Sequence, residues 1–134
     1  MSAIHKPELP LHTDFVGDER VFWACVPLLF KDDKGKILIP ANFLSDGLSI
    51  PKMFQNIFSK SPSYIFAGIL HDFCYKKNTG LDLSRRQADK IFLRWMKHYQ
   101  VGLMTRQTIW LAVRVGARKS WKVREPSYYK GEHP

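Results

Sequence analysis

An α+β domain is predicted by three observations: a β-forming segment from Arg20 to Ile39 broken by one tight turn signal, two amphipathic helical patterns joined by a short polar link, and a third helical pattern after Gly102. A chain of 134 residues suits one domain with a modest core. Residues 1–18 contain Pro and His without periodicity and read as an N-terminal arm or extended lead-in. Residues 19–121 form the domain, and residues 122–134 a polar C-terminal tail.

Within the domain, Arg20 to Lys31 is rich in β-formers (Val21, Phe22, Trp23, Val26, Leu28, Phe30), and Pro27 argues for an edge strand or a bulge. Asp32-Asp33-Lys34-Gly35 is a turn signal, and Lys36 to Ile39 is the return strand, giving one small N-terminal β-hairpin. Pro40 to Pro51 has loop chemistry and leads into a short helix over 52–58. Three main helices follow. The first starts at Ser61-Pro62 and stops at Asn78-Thr79-Gly80. The second opens at Ser84 with Gln87 three residues on, a capping-box pattern, and repeats its apolar residues at Ala88, Ile91, Phe92, Trp95 and Tyr99. The third runs from about Arg106 to Lys119, with Ile109, Trp110, Ala112, Val113 and Gly116 as its packing face. Trp121, Tyr128 and Tyr129 are docking points for the tail.

Composition bounds the function. No run of 18 apolar residues exists, so no transmembrane segment is expected, and Met1 to Pro10 lacks the pattern of a signal peptide. The expectation is synthesis in a cytoplasm. The net charge of +9 is uneven: residues 1–50 carry 5 basic and 7 acidic groups, residues 51–100 carry 9 and 3, and residues 101–134 carry 7 and 2. The basic helical half is compatible with an acidic protein partner, anionic lipid or nucleic acid, and equally with a solvated surface. Arg114 and Arg118, one helical turn apart, are candidate partner-binding cations or part of that solvated face. Cys25 and Cys74 lack zinc spacing and read as reduced core thiols, with a single bridge between them left open.

The chemistry gathers at Leu70-His71-Asp72-Phe73-Cys74-Tyr75. Two helices with so short a link should lie antiparallel, which brings His71 and Tyr75 near the end of the first opposite Asp89 near the start of the second. A shielded carboxylate needs donors, and the imidazole and the phenol supply them. Asp72 is turned about 100° away from His71 and aims at another neighbour.

This helix pair resembles the core of the phospholipase A-two enzymes, whose signature is His-Asp-x-Cys-Tyr on one helix and an Asp on its antiparallel partner; here it reads His71-Asp72-Phe73-Cys74-Tyr75 with Asp89. A broader resemblance covers roughly residues 20–121. Asp46-Gly47-Leu48-Ser49-Ile50-Pro51, Leu70-His71-Asp72 with Tyr75, Ser84 to Phe92, and Ala112-Val113-Arg114 with Trp121 are similar to a family of short phage and bacterial proteins of unknown function. The first resemblance implies a calcium-assisted acyl hydrolase with His71 as general base, Asp89 holding the ring and Tyr75 supporting Asp89. It implies Asp72 as a Ca2+ ligand, completed by carbonyls of the upstream loop at Ser45, Gly47 and Ser49.

Read from the residues alone, other roles stay open. His71 with Asp89 is equally a structural pair, Asp72 an ion pair with Lys76 one turn on, Tyr75 a half-buried core residue, and the Asp46 to Pro51 loop a turn and helix cap. A metal phosphohydrolase reading of His71-Asp72 finds only His98 as a further helical histidine. The expectation is therefore a phage-encoded phospholipase-like hydrolase acting on phospholipid or another acyl ester at the host envelope. The alternative is a non-catalytic virion or tail protein that keeps the helix pair and docks on phage structural proteins. The weaker alternative is an inhibitor binding a host protein or nucleic-acid complex.

Overall fold

The strand pattern resolves into two hairpins rather than one. The structure, a computed structural model, describes residues 12–16, 19–45, 63–116, 118–122, 124 and 126–130. Strands β1 (His12–Val16) and β2 (Glu19–Trp23) pair antiparallel, from His12 opposite Trp23 to Val16 opposite Glu19. Strands β3 (Leu28–Asp32) and β4 (Gly35–Ile39) form the second hairpin, from Leu28 opposite Ile39 to Asp32 opposite Gly35. The segment read as one strand from Arg20 to Lys31 is broken at Ala24–Pro27, where Pro27 has no N–H for a ladder. The stretch read as an aperiodic lead-in supplies β1, whose His-Thr-Asp-Phe-Val sequence shows no alternation. Its available signal was Gly17-Asp18, a two-residue hairpin dipeptide between two strand-length segments.

The second hairpin carries a short turn at Asp33-Lys34, followed by Gly35 at φ 144°, a backbone shape that suits glycine. Side chains alternate across β3, so Leu28, Phe30 and Asp32 all point into the core. A buried carboxylate in that register must find donors. Asp32 takes them from the helix that follows, as described below.

Helix α1 (Ser63–Tyr75) buries almost every side chain from Phe66 to Tyr75, so it is the central helix. Helix α2 (Arg85–His98) begins as expected: Ser84 is its N-cap, its side chain accepts from the Gln87 N–H, and the Gln87 side chain accepts from the Ser84 N–H. That box fixes the phase of α2, which sends Ala88, Asp89, Phe92, Trp95 and Met96 inward. Helix α3 (Leu103–Gly116) starts about three residues earlier than its sequence pattern suggests, and α4 (Arg118–Lys122) follows, with residue 117 outside the described residues. On α3, Ile109 and Val113 are buried, whereas Gly116, assigned to the packing face, is exposed. The expected helix over 52–58 lies outside the described residues.

Aromatic rings join the layers. Phe30 of β3 meets Trp95 of α2 edge-on at 5.1 Å, and Phe43 meets Phe73 of α1 at 5.1 Å. Burying a ring of this size is worth about 1.5–3 kcal/mol. The tail docks through its backbone: Leu44 N–H donates to the Tyr128 carbonyl at 2.9 Å and Lys130 N–H to that of Asn42 at 2.8 Å. Tyr129 packs on Phe43, and Trp121 meets Tyr75 edge-on at 5.1 Å, whereas Tyr128 is 39% exposed.

Candidate active site

His71 and Tyr75 stand one turn apart on the same face of α1. Asp89 sits on α2 between Ala88 and Phe92, where the capping box has turned it inward. The end of α1 therefore faces the start of α2, as an antiparallel pair requires. His71 Nε2 lies 2.7 Å from Asp89 Oδ1, and the Tyr75 hydroxyl donates to the same oxygen at 2.5 Å. Both partners of the pair are closed to solvent, with His71 1% and Asp89 0% exposed. The imidazole is packed between the Tyr75 ring, 4.3 Å away, and the Phe92 ring, 4.8 Å away.

The other carboxylate oxygen belongs to arginines. Arg114 Nη1 of α3 donates to Asp89 Oδ2 at 2.8 Å, and Arg85 Nε, one turn before Asp89, lies 3.9 Å from it. Arg85 also donates from Nη2 to the carbonyls of Val113 (3.2 Å) and Arg114. Those carbonyls belong to the last turn of α3, which has no intrahelical donors left and carries the negative end of the helix dipole. One buried acid thus ties three helices together.

The protonation states follow. Burial raises the Asp89 carboxyl, but the hydrogen bonds from His71, Tyr75 and Arg114 outweigh it and hold it below the ordinary carboxylate range. Burial lowers His71 more than the Asp89 carboxylate raises it, so the ring is held below the usual histidine value and is neutral. Burial, reinforced by the Asp89 carboxylate, pushes the Tyr75 phenol up, so it keeps its proton. A neutral imidazole facing a carboxylate through Nε2 must carry its hydrogen there, which leaves the lone pair on Nδ1. That Nδ1 is buried and has no hydrogen-bond partner among the described residues.

The remaining sequence candidates fall elsewhere. Asp72 pairs with Lys76 one turn on, at 3.7 Å, the ion pair that the spacing allowed. Ser45 is buried, and its backbone forms a two-bond bridge with Phe22: its carbonyl accepts from the Phe22 N–H at 2.7 Å and its N–H donates back at 3.0 Å. Gly47 and Ser49 lie outside the described residues. Among the described residues no group of three His, Cys, Asp or Glu side chains gathers in a metal-binding arrangement.

Two readings need correction. Arg114 and Arg118 do not share one exposed face: Arg114 is turned in to Asp89, whereas Arg118 is exposed on α4. Cys25 is not a core thiol. It is exposed, 3.1 Å from His12 Nε2, while Cys74 is buried and both are free. Burial pushes the Cys74 thiol up to about 12.

A second polar cluster was missed in the sequence. Asp32 accepts from Arg94 Nε at 2.5 Å and from the Lys34 N–H at 3.1 Å, and its Oδ2 lies 3.0 Å from His98 Nε2. Burial alone would raise this carboxyl; the bonds from Arg94, His98 and Lys34 lower it overall. The histidine considered for a metal site is thus part of a clamp between hairpin and helix. Its only sequence signal was Asp32 in register with Leu28 and Phe30.

The family described as "Protein of unknown function (DUF1353)" matches residues 23–113. The chain belongs to the DUF1353 family. The match spans both clusters, including Asp32, His71, Tyr75, Arg85, Asp89 and Arg94, and stops one residue before Arg114. No curated protein and no solved structure matches the chain. No helix among the described residues is long and apolar enough to cross a membrane.

Proposed function

We propose that this DUF1353 chain is a phospholipase-like acyl-ester hydrolase of phage origin that acts at the host envelope, with His71 as its base. The observation that carries the proposal is the polarity of the imidazole: Nε2 is committed to Asp89 and Nδ1 has no partner among the described residues. A base held this way takes a proton from water, and the resulting hydroxide adds to the acyl carbonyl. Asp89 stabilises the imidazolium that forms, and Tyr75 and Arg114 keep Asp89 ionised and fixed. When the tetrahedral adduct collapses, His71 returns the proton to the departing alkoxide, leaving a carboxylic acid and an alcohol. His71 is buried, so a local opening must admit water and ester to Nδ1.

The calcium expectation meets a specific obstacle. Asp72 already faces the Lys76 ammonium at 3.7 Å, so a cation at Asp72 has to displace Lys76, and the Ser45 carbonyl, which accepts from the Phe22 N–H, has one lone pair left to offer. Asp72 paired in this way is not a ready calcium ligand.

A second reading is favoured by a different observation: Asp89 is held by His71, Tyr75 and Arg114 on three helices, which is also how a structural keystone is built. In that reading the chain is a virion or tail component without turnover. Fatty-acid release from phospholipid vesicles by wild type and by a folded His71→Ala variant, with calcium and with chelator, separates the two. Release that needs His71 supports the hydrolase. No release under any of these conditions from folded wild type rejects it, and its presence in purified particles would then support the structural role.

A further inference from the structure

Helix α3 buries Ile109 and Val113 and turns its other side outward, where Met104, Leu111 and Val115 are 82%, 60% and 68% exposed. With Thr108 these positions fall within an arc of about 60° on a 3.6-residue helix, forming a straight stripe. Thr108 bonds its hydroxyl to the Met104 carbonyl at 2.8 Å, which satisfies it within the helix. Leu103, also 60% exposed, extends the apolar surface at the N-terminal end. A surface helix of a soluble domain places polar residues here. The sequence around the stripe has one sign of charge: from residue 90 to residue 124 there are nine Lys and Arg and no Asp or Glu. Among them Lys97, Arg118, Lys122 and Arg124 are exposed, and Arg118 and Lys122 lie on α4, directly after the stripe.

We propose that the α3 stripe, with the cations of α4, is a docking surface for an anionic lipid bilayer. Apolar side chains followed along the chain by the exposed cations Arg118 and Lys122 match an interface whose headgroups are uniformly negative and whose interior is apolar. Nucleic acid offers the negative charge without a phase for Met104 and Leu111. A second copy offers the apolar stripe but brings its own Arg118 and Lys122 and a net charge of +9 to the same contact. The inference stands apart from turnover at His71, although Arg114 on the same helix links the stripe to Asp89.

The test is co-sedimentation with vesicles of phosphatidylcholine, with and without phosphatidylglycerol. Wild type, Met104→Ser/Leu111→Ser, Arg118→Gln/Lys122→Gln and His71→Ala are compared after unchanged circular dichroism is verified. Wild type and His71→Ala bind the anionic vesicles equally. The two paired variants lose affinity by about 10-fold or more, and salt weakens the binding of wild type. Failure of wild type to bind anionic vesicles, binding of the stripe variant as tight as wild type, or a lipid-free dimer that the stripe variant abolishes would overturn the proposal. Binding without ester release would remove the hydrolase reading and leave this one standing.

Discussion

Arg114 Nη1 lies 2.8 Å from Asp89 Oδ2, so the third helix completes a pair of residues that the first two helices bring together. The acid would otherwise carry one oxygen fully bonded to His71 and Tyr75 and the other facing a buried interface with Arg85 3.9 Å away. Removing either member of this contact has unequal consequences. Asp89→Ala removes the acid that pairs with the partly buried Arg114 and strands the buried His71 Nε2 and Tyr75 hydroxyl, and its expected cost is about 3–5 kcal/mol. Arg114→Met keeps the stem and removes one charge-assisted bond, with an expected cost of about 1–3 kcal/mol. Urea unfolding of both variants measures the order. Equal stability of Asp89→Ala and wild type would contradict a keystone at Asp89.

Stability should fall with acid in two stages. The folded chain holds His71 below its ordinary value of 6.5, so as the pH drops below 6.5 the unfolded chain takes up a proton that the folded chain refuses. His71 therefore contributes stability that is present above that pH and lost as the pH falls. Asp89 and Asp32 are held below 3.8, so a second loss begins as the unfolded carboxylates protonate near that value while the folded ones stay charged. Denaturation midpoints across pH 3 to 8 follow this course, on the order of the ordinary pKa values, and a folded His71→Asn variant lacks the upper stage. A midpoint that rises on acidification through 6.5 would show that the imidazole is charged in the fold.

The Asp32 clamp should be separable from the site. Asp32→Ala removes the partner of Arg94 and His98 and the acceptor for the Lys34 N–H, and it is expected to cost about 2–4 kcal/mol. It should leave ester release per folded molecule unchanged, because its bonds run between β3 and α2 and none reaches His71. Parallel unfolding and activity measurements check both parts.

The two thiols should differ sharply in reactivity. A thiol-specific disulfide reagent at neutral pH is expected to label Cys25, which is exposed, and to spare Cys74, which is buried with its thiol pushed up to about 12. Unfolding then releases the second thiol. Rapid labelling of both in the native protein would contradict the packing of α1.

The helix pair was legible because its signals are local. Ser84 and Gln87 fix the start of α2, the 3.6-residue pattern gives its inner face, and the spacing from His71 to Asp89 leaves little freedom in how the two helices meet. The arginines were not legible in the same way. Arg114 is 25 residues from Asp89 and reads like any cation on a surface helix; its role depends on how α3 crosses α2. Asp32 and Arg94, 62 residues apart, depend on the hairpin lying against α2, which no local pattern encodes. The first hairpin was not legible because β1 lacks alternation, although the sequence there holds a Gly-Asp dipeptide of hairpin type. That Arg114 turns inward while Arg118 stays exposed was equally silent in sequence.

The most direct measurement is the rate of fatty-acid release from phospholipid vesicles by matched preparations of wild type and His71→Ala, each shown to be folded by circular dichroism and a cooperative unfolding transition. The account predicts release by wild type and a loss of at least about 100-fold in the variant, the scale of a lost general base. Equal rates in the two proteins, or no release by folded wild type with calcium or with chelator, would contradict it.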